Sequence, residues 1–294
     1  MGNSHGGIVK GAAYDRAMIV VLDVGNTNLT VGVVADDDVA STQRAPTPSG
    51  ASPADMAGML AVLLAAEGTS LAQTERLVVV SVVPTITDAI RGVASEHDIP
   101  LLVADETTIP IQILVDNPEG VGDDRLVNAY AASRLHGTPA IVVDLGTATT
   151  FDVVNADGAF IGGAIAAGAG LSVDALARGT AQLPRVPLVM PEHAIGSDTV
   201  EAMQSGAIIG HSGLVLVLIR AIAAELAVNS SAGPDATAPK PKVILTGGLS
   251  GTDWAQAIPD VDVVDPYLTL EGLVLLDKEV AASTDAATDA ISVG

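Results

Sequence analysis

Two short segments bring together carboxylate, glycine and hydroxyl residues in a spacing that suits phosphate chemistry. They are IVVLDVGNTNLTVGVV from Ile19 to Val34 and IVVDLGTATTFDVV from Ile141 to Val154. In each, an apolar β-branched run delivers an aspartate, Asp23 or Asp144, then a glycine beside small hydroxyl or amide residues, then a second apolar run. The runs suit strands, and the glycine lets a hairpin turn take positive φ and lets a phosphate approach the backbone. Backbone N–H groups and the hydroxyls of Thr27, Thr30, Thr147 and Thr149 can hold phosphate oxygens, while the aspartates can approach Mg²⁺ or K⁺ directly or through water. Either segment alone also reads as an ordinary hairpin with a polar turn. Its occurrence in both halves of the chain favours a nucleotide triphosphate with its cation.

A third polar segment is ILVDNPEGVGDDRLVNAYAASRLHG, in which Pro118, Gly120 and Gly122 make a bent loop and Asp123 and Asp124 open a helix running toward Gly137. Interaction with the helix dipole accounts for acids at a helix start. It extends less readily to Arg125 directly after them, whose planar guanidinium suits a substrate carboxylate ahead of a purely structural ion pair. Gly247 and Gly248, after a strand from Lys242 to Thr246, form a turn open to a flat ligand such as adenine, or only a strand-to-helix connection. None of the five histidines stands at metal-ligand spacing with another, so each reads as structural or exposed. Cysteine is absent, which excludes disulfides, thiolate metal sites and a cysteine nucleophile.

The elements that must position these groups alternate between strand and helix. Asp36 to Pro53 is polar and rich in turn residues, a surface loop ending in the helix start Ser52, Pro53, Asp55. Met56, Leu60, Leu63 and Leu64 follow at helical spacing up to Gly68, then come an apolar strand from Leu77 to Val83, a helix from about Thr87 to His97 and a strand from Leu101 to Ala104. That order argues an α/β fold with a mixed sheet. In the second half, the small-residue run after the hairpin permits close backbone packing or an approach to substrate, and a short helix spans Leu171 to Arg178. Ser197 or Asp198 caps a long helix from Thr199 to Val228 that is apolar nearly all round, too much hydrophobic surface for one domain and therefore a dimer interface. A strand from Val261 to Val264 and an amphipathic helix from Leu270 to Ala282 complete the chain, with a loose leader over residues 1–17, a mobile insertion over Asn229 to Lys242 and a disordered tail from Ser283.

At 294 residues the chain is long enough for two domains of common size. Its formal net charge of −22, from 35 acidic against 13 basic residues, repels nucleic acid and anionic membranes and resembles proteins of a salt-rich cytoplasm. The most apolar stretch, Leu214 to Val228, is divided by Arg220 and Glu225, which favours a buried helix over a transmembrane one. With no apolar core near the N-terminus to suggest a signal peptide, a cytoplasmic enzyme is the default.

With these pieces in order, the chain from Met18 to about Ala282 resembles the type III pantothenate kinases, within the acetate-kinase, sugar-kinase, heat-shock and actin superfamily. The resemblance is carried by DVGNTN at Asp23, SVVP at Ser81, DNPEGVGDDR ending at Arg125, DLGTATT at Asp144, GGAIAAG at Gly162, AQLPRV at Ala181, IGSDTVEAMQSG at Ile195, TGG at Thr246 and LTLEGL at Leu268. It implies two related ribonuclease-H-like domains with mixed sheets, 18–137 and 138–282, forming an actin-like ATP clamp. It also implies transfer of the ATP γ-phosphate to pantothenate, the first step of coenzyme A synthesis, with Mg²⁺ on the nucleotide. By the same resemblance Asp23, Val24, Gly25, Asn26, Thr27, Asn28, Leu29 and Thr30 form the first phosphate loop, Thr147 contacts ATP, and Asp144 holds a monovalent cation, K⁺ or NH₄⁺. Gly122, Asp123, Asp124, Arg125 and Thr199 contact pantothenate, with Asp124 as proton acceptor. The family's assembly is a cytoplasmic homodimer with no nucleic-acid or membrane partner. Val115 stands where many members have Tyr and Ala167 where many have Pro, departures that bear on affinity more than on reaction type. The competing readings are a nucleotide-binding regulator without chemistry and a kinase for another small acid or sugar.

Overall fold

The computed structural model describes residues 18–229 and 239–292. The leader and most of the expected insertion lie outside the described residues. Contacts divide the chain into two units, one of Met1–Pro110, Val121–Val127 and Thr269–Gly294, the other of Ile111–Gly120 and Asn128–Leu268.

In the first unit, β1 (Met18–Val24), β2 (Asn28–Ala35) and β3 (Asp38–Pro46) form an antiparallel meander. Helix α1 (Pro53–Ala66), strand β4 (Thr74–Ser81), helix α2 (Pro84–Glu96) and strand β5 (Leu101–Val103) follow. The sheet order is β3-β2-β1-β4-β5, with β4 parallel to both β1 and β5. The central strands are buried on both faces, as Val20, Val21, Leu22 and Val24 of β1 are, which is why they read as continuous apolar runs. Strand β3 occupies much of the polar stretch read as a loop. It is an edge strand whose only fully buried residue is Ser41, so it lacks the alternation by which strands are recognised. Helix α1 has the expected Ser52–Asp55 capping box and buries Met56, Leu60 and Leu64. Helix α2 starts three residues before the sequence reading because Pro84 fits the first helical turn.

The second unit repeats this plan. After α3 (Asp123–Leu135), which the division of contacts cuts at Val127, come β6 (Ala140–Leu145), β7 (Ala148–Val154), β8 (Phe160–Ala167) and α4 (Ala169–Gly179). They are followed by α5 (Thr199–Gln204), a π-helical turn (Ser205–Gly210), α6 (His211–Asn229), β9 (Lys242–Thr246), α7 (Asp253–Gln256) and β10 (Val263–Val264). The order β10-β9-β6-β7-β8 matches the first sheet strand for strand, so the echo in sequence is a repeat in topology: two α/β halves of ribonuclease-H-like, actin-like plan. The run FIGGAIAA, read as a place of close backbone packing or of approach to substrate, is strand β8 paired antiparallel with β7. Helix α8 (Leu268–Ser292) returns to the first unit, where Leu270 fills the space left by the missing Cβ of Gly32 and Asp277 pairs with Arg76 of β4 at 2.8 Å. It runs past Ala282, where the sequence reading ends it, to Ser292.

The stretch from Thr199 to Val228, expected as one long apolar helix, consists of α5, the π-helical turn and α6. By length and composition it could cross a membrane, but one face packs into its own unit: Ile208, Val215 and Ile219 join Ile141, Val143, Phe151, Val243, Leu245 and Trp254 in the core. The opposite face, with Ile209, Leu214 and Val217, is exposed.

Candidate active site

The two glycine turns have the same construction. In the first, Asp23 on β1 pairs in register with Thr30 on β2, and the Gly25 N–H donates to the Asn28 carbonyl at 3.0 Å. Thr47, just beyond β3, clasps the turn from outside: its N–H donates to the Thr27 carbonyl at 3.0 Å and its hydroxyl to the Gly25 carbonyl at 2.6 Å. Val24 and Leu29 are buried, so they offer the turn only backbone groups, while Asn26 and Thr27 are exposed at its tip. In the second, Asp144 pairs with Thr150, the Gly146 N–H donates to the Ala148 carbonyl at 3.1 Å, and the Gly168 N–H donates to the Thr147 carbonyl at 3.1 Å. The counterpart of Thr30 is therefore Thr150. Thr149, named with the phosphate-binding hydroxyls from sequence, points the other way. Successive strand residues face opposite sides of the sheet, and its hydroxyl is buried beside His211.

Asp144 sits in a cradle that only glycine permits. Gly247 has φ +89°, and a Cβ there would stand 2.1 Å from Asp144 Oδ1 and 2.7 Å from the Leu145 nitrogen. The Thr246–Gly248 turn thus makes room for a carboxylate. A Cβ on Gly168 would stand 2.4 Å from the Thr147 carbonyl, so this glycine also lets helix α4 start against the turn. Asn128, 1% exposed on α3, donates its side-chain amide to Asp144 Oδ2 at 3.4 Å.

In the first unit, Gly122 to Arg125 make the start of α3, with the Arg125 and Leu126 N–H groups donating to the Gly122 carbonyl at 3.0 and 3.4 Å. The Arg125 N–H also reaches Asp124 Oδ1 at 2.8 Å, and a Cβ on Gly122 would come within 2.6 Å of that oxygen. Burial pushes the Asp124 carboxyl above its ordinary value, against the opposing pull of the Arg125 N–H and guanidinium. Burial, with the charges of Asp105, Glu106 and Asp124, raises Asp123 to about 6. Thr199, in the second unit, opens α5 behind the N-cap Asp198, whose carboxylate accepts the Glu201 N–H at 2.8 Å. It borders an apolar cavity of about 390 Å³ lined also by Val173, Leu176, Leu183, Met203 and Ala207.

With this geometry in place, the sequence matches the family model of type III pantothenate kinases over residues 19–221. The chain belongs to the type III pantothenate kinase family. A type III pantothenate kinase of Thermomicrobium roseum is 40% identical over 258 residues, covering 87% of this chain and 95% of the relative. One from Frankia alni is 39% identical over 265 residues, covering 88% and 98%. A solved structure of a conserved Baf-family protein from Campylobacter jejuni aligns with TM-score 0.57 and 15% identity, covering 90% of this chain and 99% of that one, which supports the fold.

Set against the family, Asp23 to Thr30 lie on the first turn and Thr147 and Asp144 on the second, while Gly122 to Arg125 lie together at the start of one helix. Val115 lies 3.7 Å from where a Cβ of Gly162 would stand, and Ala167 is the last residue of β8. Thr47 and Asn128 were not found from sequence. Thr47 sits in a stretch read as loop. For Asn128 a signal existed, a polar residue inside the apolar run LVNAYAA, whose burial requires a partner.

Among the described residues no group of three or more His, Cys, Asp or Glu side chains is placed to hold a metal ion. A cation at Asp144 would complete its shell from carbonyl oxygens, water and the nucleotide. Such an all-oxygen set fits hard cations.

Proposed function

We propose that this protein is an ATP-dependent pantothenate kinase that transfers the γ-phosphoryl group to a pantothenate hydroxyl at the entry to coenzyme A synthesis. The observation that carries the reading is the repeated glycine turn, with an aspartate in register with a threonine in each half, in a chain that spans nearly the full length of its kinase relatives. The amides and hydroxyls of residues 23–30 and Thr147 bind the phosphates. Mg²⁺ on the nucleotide neutralises charge, and Asp144, oriented by Asn128, suits a monovalent cation.

Asp124 orients the acceptor hydroxyl and takes its proton. As the hydroxyl oxygen bonds to the γ-phosphorus, the bond from phosphorus to the β,γ-bridging oxygen breaks, ADP departs, and the proton passes to the carboxylate. A carboxylate raised by burial is a better base than an ordinary aspartate, and a loose transition state asks for the proton only late. Arg125 pairs with the pantothenate carboxylate, Gly122 and Asp123 complete that contact, and Thr199 adds a hydroxyl.

We assign the working form as a cytoplasmic homodimer closed through the outer face of the helix from Thr199 to Val228. Val217 is 65% exposed and Val228 83%, on a face that a lone copy would leave open to water. The test is ADP release coupled to added pantothenate, compared with other small acids and sugars, in KCl and NaCl at equal ionic strength. The expected result is turnover with pantothenate alone, stimulated by KCl beyond NaCl. ATP binding without turnover on any acceptor would instead support a regulator.

A further inference from the structure

The helix beginning at Thr199 is interrupted by the π-helical turn Ser205–Gly210, and the residue delivered directly after it is His211. Single-turn π segments change which face the following residues present and are common at functional sites. Here the change places Ile208, His211, Val215 and Ile219 along the face that meets the sheet. His211 is 7% exposed. Its Nε2 lies 3.0 Å from Thr149 Oγ1, itself 1% exposed, and its ring meets Trp254 edge-on, with centroids 6.2 Å apart and an interplanar angle of 80°. Burial lowers the pKa of the ring, which favours the neutral form that meets the hydroxyl without bringing charge into the core.

Thr149 is two residues from Thr147 and pairs in register with Leu145, next to Asp144. The turn that presents Thr147 is therefore pinned from behind by one side-chain pair. The other side of the same helical segment is the exposed apolar face of Ile209, Leu214 and Val217. A buried imidazole and a buried hydroxyl each need a hydrogen-bond partner, and here the two meet each other directly behind the turn.

We propose that His211 is a positioning residue for the nucleotide: through Thr149 it sets the second phosphate turn, and so links the seating of the apolar helix to ATP affinity. The inference rests on the reading of that turn as a phosphate site. The test is a double-substitution cycle on the full chain with His211→Phe and Thr149→Val. ATP affinity is measured by calorimetry without acceptor, KM for ATP and for pantothenate in turnover, and Tm for each variant.

Each single substitution is expected to weaken ATP binding about tenfold, the double to be no weaker than either single, and KM for pantothenate to stay within about twofold. His211→Gln, whose amide can meet the hydroxyl, recovers most of the affinity. Losses that add in the double, equal rises in both KM values, or a lowered Tm with unchanged ATP affinity would overturn the proposal. If the apolar substitutions do not fold, the contrast decides it: His211→Gln and Thr149→Ser retain ATP affinity while His211→Ala loses it, and wild-type affinity in His211→Ala refutes the proposal. Since ATP binding is read without acceptor, lack of pantothenate turnover with intact coupling would overturn the kinase reading alone. Turnover without coupling would overturn this proposal alone, and a wild-type chain that binds no ATP would overturn both.

Discussion

Replacing Gly247 with alanine tests whether the glycine after β9 exists to seat Asp144. Two costs act at that position. The backbone at φ +89° is left-handed, and an L-residue there pays about 1–2 kcal/mol. The new Cβ would also stand 2.1 Å from Asp144 Oδ1 and 2.7 Å from the Leu145 nitrogen, so the carboxylate and the end of β6 must give way. Gly137 separates the costs, having φ +86° and no heavy atom within 4 Å of where its Cβ would stand. Gly137→Ala should therefore lower Tm by roughly 2–8 °C, at about 2–4 °C per kcal/mol for a chain of this size, and leave kcat/KM for ATP within about twofold. Gly247→Ala should lose more stability, because the displaced Asp144 also gives up its bond from Asn128, and its kcat/KM for ATP should fall on the order of 10²-fold, the usual effect of misplacing a site group by about 1 Å. Melting curves and ATP-dependent kinetics on both variants decide the matter. If Gly247→Ala keeps wild-type kcat/KM while melting like Gly137→Ala, the glycine serves backbone conformation only and the cradle argument is wrong.

Asp124→Asn should bind ATP normally and lose about 10²–10⁴ in turnover, measured by calorimetry and ADP release. Since burial raises the Asp124 carboxyl, the wild-type kcat/KM for pantothenate should begin to fall with decreasing pH above the ordinary aspartate range, and that acid limb should vanish from the residual activity of the variant. Asp123, with its carboxyl raised to about 6, is ionised at pH 8 at a cost to the folded state that shrinks as pH falls below about 6 and is gone once the unfolded chain is protonated too. Asp123→Asn should accordingly have the higher Tm at pH 8, with the gap closing below about pH 4, and an equal Tm difference at both pH values would contradict the assignment. Val217→Glu places a charge on the exposed apolar face, and if the proposed homodimer closes there, sedimentation should show a folded monomer at concentrations where the parent chain dimerises. An unchanged dimer would move the interface elsewhere.

What could be read from sequence here is what neighbouring residues settle among themselves. An apolar β-branched run followed by Asp, Gly and small hydroxyl residues makes a hairpin whichever protein carries it, so both glycine turns, and the repeat they imply, were legible before any fold was known. The capping box at Ser52 and Asp55 and the acid-led start of α3 are local in the same sense. Edge strand β3 and small-residue strand β8 were not legible, because an edge strand has no buried alternation and a run of glycine and alanine has no hydrophobic period. Only the tertiary structure decided that Thr150 and not Thr149 matches Thr30, since that choice depends on which sheet face a helix from sixty residues later covers. It also decided that Gly247 yields space to Asp144, that Thr47 and Asn128 brace the two turns, and that burial raises Asp124. The physical reason is the same in each case: desolvation, steric room and hydrogen-bond partnership at these sites come from segments distant in the chain, and no local pattern encodes them.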